Sequence, residues 1–466
     1  MTEKVHKLLS DSKAARWGAL AVVSFTMLCA YYLTDVMSPL KGMLEETLHW
    51  NASDYGWFTS GYGWFNVFFG MLIFGGIVLD KMGVRFTGLT SAAVMVVGTA
   101  IKYWAVSTHA LDGQVWHILW LFEMKAQVFV AGFGFAIFGV GCEVSGITVS
   151  KIIVKWFRGK EMALAMGMQM ATARIGTALA LGISLPFARV FGTVSAPILL
   201  CLILLCIGLI AFIVYTFMDK KLDESQAAHH LANNTTAEEE SFRASDIFSI
   251  INNKAWWYIA ILCVLFYGAV FPFLKYAPDL MVMKFGVPDR LAGAIPALLP
   301  FGTILLTPIF GSIYDNKGKG ATIMIIGAGL LIFVHALFAI PFLNQWVEAV
   351  LLIIVLGIGF SLVPSAMWPS VPKIIPERQL GTAYALIFWV QNIGLMGIPA
   401  LIGWILEKYC ITGHVLKNGV MTTIYNYTLP MIVFMSFGVL ALVFALLLKA
   451  EDRKKGYGLE LPNIKK

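Results

Sequence analysis

The chain has 466 residues, of which 59% are hydrophobic and 13% are charged, with a formal net charge of +7. Soluble proteins average about 25% charged residues, so this composition, with a mean hydropathy of +0.78, excludes an ordinary soluble globular protein. The positive charge needs no nucleic-acid partner, because basic residues that flank membrane spans account for it.

Apolar stretches long enough to cross about 30 Å of hydrocarbon recur along the whole chain. They predict twelve transmembrane helices and leave no room for a soluble domain of useful size. In chain order we place the spans at 17–38, 55–78, 86–106, 124–149, 162–187, 194–217, 256–280, 292–313, 321–343, 346–371, 381–405 and 429–449.

The basic residues indicate how the spans are oriented. Most of the 34 Lys and Arg residues fall in the segments that share a side with the two termini, which predicts that both termini are cytoplasmic. The basic start of the chain leads directly into a full-length span, so we expect no cleaved signal peptide.

A short motif occurs twice. GIVLDKMGVR, 76–85, follows the second span, and GSIYDNKGKG, 311–320, follows the eighth; Gly, Asp and Gly recur at the same spacing. The polar segment 219–246 has the composition of a flexible linker and lies between the two copies. The repeat predicts an N-terminal six-helix half, a cytoplasmic linker, and a C-terminal six-helix half with a basic tail, at 1–218, 219–255 and 256–466.

These two loops resemble the inner-loop signature of the major facilitator superfamily, whose loop acts as a conformational latch. The resemblance implies an all-α integral membrane fold with twelve helices in two six-helix halves. It also implies gating roles for Asp80, Arg85 and Asp315. The second copy has Gly320 where the first has Arg85, so we expect the latch to rest mainly on Asp80 and Arg85.

A narrower resemblance covers most of the chain. The segments 155–176, 266–273 and 367–395, which include KWFRGKEMALAMG, FYGAVFPF and MWPSVPKIIPERQLG, are similar to the lysosomal dipeptide uniporter subfamily of this superfamily. The resemblance implies uniport of dipeptides recognised at both backbone ends. It places the matching Glu143 and Arg174 in the substrate cavity. The sorting signal of the animal members is not evident, so a bacterial inner membrane is the predicted location.

The residues themselves support part of this interpretation. A charge at the centre of a membrane helix costs about 2.5–3.5 kcal/mol on insertion scales, so such residues usually face the bundle interior. Glu143 and Arg174 lie near mid-membrane on consecutive antiparallel spans, and their opposite charges suit a zwitterion. A structural ion pair between the two spans is the alternative.

Further polar and aromatic residues within the spans are candidates for the cavity wall. Tyr and Trp combine an apolar ring with a hydrogen-bonding group, and uncharged amides can pair with a peptide backbone. For each of them helix packing is the alternative. The candidate wall residues are Tyr32, Asp35, Tyr62, Tyr267, Trp368, Trp389, Gln391 and Asn392.

The leading functional prediction is alternating-access transport of small zwitterions, most readily dipeptides, by uniport or proton coupling. The alternatives are an exchanger of organic anions or phosphate esters and, from another class, a non-transporting membrane sensor. No catalytic constellation or metal-ligand spacing is visible, so we expect no enzyme activity, cofactor or metal. The expected partners are the substrate and the lipid bilayer around a monomer; an accessory membrane subunit is left open.

Overall fold

The computed structural model describes residues 11–118, 122–157, 161–233, 244–376, 379–417 and 419–463. Helices dominate it. In chain order they are α1 (Lys13–Asp35), α2 (Lys41–Leu48), α3 (Ala52–Ser60), α4 (Trp64–Phe68), α5 (Met71–Ser107), α6 (Ala126–Phe157), α7 (Met162–Phe191), α8 (Ala196–Asn233), α9 (Ala244–Ile251), α10 (Lys254–Phe285), α11 (Asp289–Ala292), α12 (Ala294–Lys317), α13 (Gly320–Ala339), α14 (Trp346–Ile374), α15 (Leu380–Tyr409) and α16 (Thr428–Lys455).

Eleven helical segments in the described part of the chain are long and apolar enough to cross a membrane. The twelfth crossing is the predicted second span, 55–78, which is not one continuous helix. It consists of α3, a 3-10 turn, α4 and the start of α5, with Gly70 in the left-handed region at φ 59°. The glycines of SGYGWFNVFFG allow these breaks. Gly83, at φ 76°, then separates the second span from the third within α5.

The remaining spans follow the apolar pattern, with shifted ends. The ninth span, formed by α13, ends at Ala339 rather than at the predicted residue 343, because Pro341 disfavours helical geometry at the residue before it. Since the crossings are even in number, both termini lie on one face of the bundle. We call this the terminal face and the other the opposite face.

Two β-hairpins on the opposite face were not predicted. Val115–Ile118 (β1) pairs with Phe122–Lys125 (β2), and Ile411–Lys417 (β3) pairs with Val420–Tyr425 (β4), both antiparallel. The Asn418-Gly419 dipeptide between β3 and β4 is a strong hairpin signal, and the sequence analysis missed it.

Part of the predicted flexible linker is helical. Helix α8 runs through the membrane and on to Asn233, and Ala244–Ile251 forms α9; residues 234–243 lie outside the described part. The stretch after Asp219 contains several Ala, Leu and Lys residues, which are good helix formers. Asp219 itself is fully buried and accepts hydrogen bonds from Lys155, Trp156 and Tyr215.

Small residues let the helices of the N-terminal half approach closely. On α5 and α6, a Cβ added to Gly98 would lie 2.3 Å from the backbone nitrogen of Phe138, and one added to Gly134 would lie 2.6 Å from that of Lys102. Glycine interfaces of this kind are common between membrane helices. The close approach brings Lys102 of α5 against the aromatic side chains of α6.

Candidate functional site

A cavity lies between the two halves. It has a volume of about 660 Å³, including the part open to solvent. Both halves contribute polar groups and aromatic rings to its wall, and most ligand cavities combine these two kinds of lining. The lining residues are Tyr31, Thr34, Asp35, Thr59, Tyr62, Phe135, Cys142, Glu143, Thr177, Phe271, Pro272, Lys275, Gln391, Leu395 and Pro399.

Glu143 on α6 lies in the cavity wall. Its carboxylate accepts a hydrogen bond of 2.8 Å from the hydroxyl of Tyr62. Asn392, on α15 of the other half, is close enough to influence the same carboxylate. The glutamate is therefore hydrogen-bonded by Tyr62 and lies at the point where the halves face each other.

Arg174 on α7 lies beside the cavity among aromatic rings. Its guanidinium carbon is 5.9 Å from the centroid of Tyr31 and 5.4 Å from those of Phe271 and Phe360. Guanidinium groups stack favourably on such rings. Within the described ranges no ion pair joins Arg174 to Glu143, so the direct structural pair considered above is not formed in this structure.

Asp35 and Lys275 form an ion pair that the sequence did not reveal. Asp35 is at the end of α1 and Lys275 is on α10, and the Lys275 ammonium lies 2.6 Å from Asp35 Oδ1. Lys275 also donates to the carbonyl of Thr34. Both charged residues line the cavity, so this pair ties the two halves together at the wall.

The other predicted wall residues fall into two groups. Tyr62 and Gln391 line the cavity, and Gln391 accepts a weak hydrogen bond from Cys263 at 3.5 Å. Asn392 is buried, and its amide nitrogen donates to the carbonyl of Phe388.

Aromatic residues make up the second group and mainly contact protein. Trp368 donates to the hydroxyl of Tyr267 at 3.0 Å, and Trp389 donates across the halves to the carbonyl of Val67 at 3.1 Å. Tyr32 is buried and accepts a hydrogen bond from Ser184. Tyr267 packs edge-on against the ring of Phe360, which also contacts Arg174.

The predicted latch residues lie on the terminal face. Asp80 pairs with Lys151 at 2.9 Å. Arg85 lies 3.1 Å from Asp223 and 3.8 Å from Asp219, both on α8. In the second copy of the motif, Asp315 accepts a hydrogen bond from Asn463 of the C-terminal tail.

The tail explains the degenerate second motif. Its backbone runs directly over the loop, where Lys319 and Gly320 donate to the carbonyls of Glu460 and Leu459. A Cβ at Gly320 would lie 2.8 Å from the Leu459 carbonyl oxygen. The tail therefore occupies the place where the first copy has the side chain of Arg85.

The halves are sealed together on the opposite face. Lys41 of α2 pairs with Asp279 of α10 at 2.8 Å, and both side chains are only 4% exposed. Tyr427 donates to the same carboxylate. Arg189 of α7 pairs with Glu46 at 3.0 Å and lies 3.8 Å from Asp289 of the other half.

Hairpin β3–β4 extends this seal. The backbone nitrogen of Thr423 donates to Glu45 of α2 at 2.7 Å, and the hydroxyl of Tyr425 donates to Glu407 at 3.0 Å. Burial raises the pKa of Tyr425, so the phenol stays protonated and remains a donor.

The terminal face is open by comparison. Near that face Met162, Leu164, Met168 and Met170 of α7 are exposed, and at 3.6 residues per turn they lie on several sides of the helix. Across the described ranges, ion pairs join the two halves on the opposite face, and none joins them on the terminal face. We therefore interpret the terminal face as the one to which the cavity opens.

A family model described as Major Facilitator Superfamily matches residues 21–399 of the chain. The chain belongs to the major facilitator superfamily. It is therefore a multi-pass membrane transporter and not an enzyme, and the resemblance of its inner loops is confirmed.

Relatives and solved structures agree on this family. The lysosomal dipeptide transporter MFSD1 of Homo sapiens is 26% identical over 405 residues, which cover 85% of this chain and 81% of that one. The protein of the same name from Gallus gallus is 28% identical over 304 residues, or 63% and 64% of the two chains.

Two solved structures have the same fold. The nucleoside transporter NupG has a TM-score of 0.66 at 16% identity and covers 93% of this chain and 99% of its own. An inward-facing bacterial homolog of the human lysosomal transporter Spinster has a TM-score of 0.68 at 12% identity, with 95% and 98% covered.

Two charged residues beside the cavity escaped the sequence analysis. Lys275 lies within the predicted span 256–280, and its pairing with Asp35 could not be read from sequence. Lys102 lies near the end of the predicted third span, where a lysine usually extends to the interface. The available signal was a charge inside an apolar run, the same signal that singled out Glu143.

Proposed function

We propose that this transporter carries dipeptides, or zwitterions of similar size, across the membrane by alternating access. The observation that carries the proposal is the placement of Glu143 in the cavity wall with Arg174 close by and no ion pair between them in the described ranges. A half-buried acid and base that do not neutralise each other are available to a ligand that carries both charges. The relatives named as dipeptide transporters support the same substrate class.

Each group has a proposed role in recognition. Glu143 accepts the ammonium of the peptide, and Tyr62 and Asn392 hold the carboxylate in place. Arg174 takes the peptide carboxylate, for which its two-pronged guanidinium is suited. The rings of Tyr31 and Phe271 offer sequence-tolerant surface to the side chains. Selectivity then depends on length and termini more than on composition.

The lining of the cavity is compatible with such a ligand. It combines charged and polar groups with aromatic rings, as pockets for small organic molecules commonly do. The charges also disfavour the anion-exchanger alternative, since Lys275, the cation that lines the wall, is already neutralised by Asp35 at 2.6 Å.

The orientation remains a prediction. The basic residues place the termini in the cytoplasm, and on this basis the cavity opens to the cytoplasm in this structure. A bacterial inner membrane remains our predicted location, while the relatives are named as lysosomal. We propose uniport; a dependence of peptide uptake on a pH gradient in proteoliposomes would instead show proton coupling.

Thermal-shift titration with blocked peptides tests the substrate assignment. The ligands are a free dipeptide, its N-acetylated form and its C-terminal amide. N-acetylation should lower the affinity of the wild type at least a hundredfold, because removing a partner from a buried charge pair costs about 3–5 kcal/mol. The same block should cost little in Glu143→Gln, and amidation should cost little in Arg174→Gln, because each variant lacks the charge that the block would leave without a partner.

Two exposed residues provide matched controls. Glu123→Gln on β2 and Arg290→Gln at α11 make the same chemical changes away from the cavity, and both should bind like the wild type. If acetylation penalises Glu143→Gln as strongly as the wild type, Glu143 is not the partner of the amine. If free dipeptides bind neither the wild type nor any variant, the proposed substrate class is wrong.

A further inference from the structure

Lys102 is a buried cation without an obvious counter-ion. It is 0% exposed and lies 5.0 Å from the ring centroid of Phe58 and 4.2 Å from that of Phe135. Its ammonium donates one long hydrogen bond, 3.4 Å, to the carbonyl of Leu33. Across the described ranges no carboxylate lies within ion-pair distance of it. An unpaired charge in such a place is costly, so its presence calls for an explanation.

Its neighbours supply one. Lys102 is close enough to interact electrostatically with both Asp35 and Lys275. Leu33, which accepts the hydrogen bond from Lys102, lies two residues before Asp35 on α1. Two lysines therefore lie near one aspartate, and in this structure the Lys275 ammonium pairs with it at 2.6 Å.

The three residues do not belong to the same half. Asp35 on α1 and Lys102 on α5 are in the N-terminal half, whereas Lys275 on α10 is in the C-terminal half. When the opposite face opens, Lys275 moves away with its half, and Lys102 stays beside Asp35. Without a substitute, the aspartate would lose its cation in a site that is only 8% exposed at the side chain.

We propose that Lys102 is this substitute: Asp35 exchanges Lys275 for Lys102 when the opposite face opens. The aspartate then has one cationic partner in each access state, and opening leaves no uncompensated carboxylate. In this role Lys102 is a positioning residue for the transport cycle and does not touch the substrate. The inference rests on the alternating-access part of the proposed function and not on the dipeptide assignment.

Distances between spin labels on the opposite face can follow the exchange. Thr193 and Arg290 are exposed there on different halves, and the native cysteines of the described chain are buried or half-buried. Labels on Thr193→Cys and Arg290→Cys should report a short distance for the sealed state and a long one for the opened state. The unsubstituted chain, treated with the same label, gives the background.

Three changes in this labelled chain have different expected results. Lys102→Met should reduce the fraction of molecules that show the long label distance, here called the long-distance fraction, by about tenfold or more. The reason is that opening then leaves Asp35 without a partner. Lys275→Met should raise that fraction, since Asp35 pairs with Lys102 already in the sealed state. In an Asp35→Asn background, Lys102→Met should change nothing.

Controls separate charge from packing. Lys102→Gln repeats the loss of charge with a different side-chain shape and should behave like Lys102→Met. Lys284→Met removes a partly buried lysine of the same face that donates to the carbonyls of Phe338 and Ile340, and it should leave the distances unchanged. A merely structural role for Lys102 predicts an effect that persists in the Asp35→Asn background.

Two results would overturn the inference. The first is an equal long-distance fraction in Lys102→Met and the wild type, which leaves the proposed transport function untouched. The second is a wild type that shows no long distance with or without dipeptide, which contradicts the alternating cycle as well.

Discussion

On the opposite face, charged side chains of one half bond directly to the other half, whereas on the terminal face every ion pair in the described ranges joins residues of one half. Lys41 and Asp279 represent the first kind, with side chains 4% exposed. Asp80 and Lys151 represent the second, at 55% and 37%.

This difference shows how the two faces can open and close. Removing one partner of a buried ion pair destabilises the state that contains the pair by about 3–5 kcal/mol. An exposed ion pair contributes only roughly 0.2–1 kcal/mol to stability. In this structure the contacts that hold the halves together are concentrated on the sealed face. Substitutions there should shift the access state most, and substitutions on the terminal face should act mainly on rates.

The largest expected effect is that of Asp279→Asn. The substitution removes the anion that Lys41 and Tyr427 contact across the halves, and the buried ammonium is left without its counter-ion. The sealed state should lose about 3–5 kcal/mol, and the long distance between labels at Thr193 and Arg290 should become the main one.

A pair on the same face provides the control. Asp54 binds Lys125 at 2.7 Å within the N-terminal half, so Asp54→Asn should leave the label distances unchanged. Adding Lys41→Met to Asp279→Asn should restore much of the short distance, because the uncompensated cation is removed. A distance distribution that Asp279→Asn does not alter would show that this pair does not seal the face.

A smaller effect is expected at Gly293, where the two halves touch through backbone. A Cβ added there would lie 1.8 Å from the carbonyl oxygen of Leu181 on α7, which is too close for two atoms that are not bonded to each other. Gly293→Ala should therefore disfavour the sealed state by about 1–3 kcal/mol, a typical cost of overpacking. The measurement uses Ser38→Cys, because Ser38 is buried in this seal. If Gly293→Ala weakens the seal, a membrane-impermeant thiol reagent should modify this cysteine faster.

Gly302 on α12, the helix that begins directly after Gly293, has open space around its Cβ position and is the matched control. Gly302→Ala should leave the modification rate at the wild-type value. Equal rates in the two alanine variants would mean that the close backbone approach at Gly293 does not limit sealing.

The sequence predicted the architecture well because each crossing must be apolar over a membrane's thickness. It did not predict the breaks at Gly70 and Gly83, because a glycine in an apolar run is compatible with a straight helix as well as with a kink. The hairpin signal of the Asn418-Gly419 dipeptide was readable from the sequence but lay in a segment treated only as a connection between spans.

For the site, sequence identified the charges and not their partners. Glu143 and Arg174 were singled out because charges are rare inside spans. Their contacts depend on residues far away in the chain, such as Asn392 for the glutamate and Phe360 for the arginine. The same applies to Asp35, whose partner Lys275 is on a helix of the other half. Pairings of this kind follow from helix packing, which no local pattern encodes.

The smallest effect is expected on the terminal face, at Asp80. Its carboxylate pairs with Lys151 across α5 and α6, within one half and remote from the cavity. Asp80→Asn should slow peptide uptake into proteoliposomes by about fivefold or less, since an exposed pair contributes roughly 0.2–1 kcal/mol. Dipeptide affinity in the thermal-shift titration should stay at the wild-type value, because the loop biases the access states without touching the ligand.

Lys151→Gln removes the other partner of this pair and should slow uptake to the same degree. The double variant should then be no slower than either single one, since both changes remove the same interaction. Lys221→Gln, an exposed lysine on α8, controls for the loss of a charge on this face. A variant of Asp80 that loses dipeptide affinity but cycles at the normal rate would contradict a gating role and place this carboxylate in ligand binding instead.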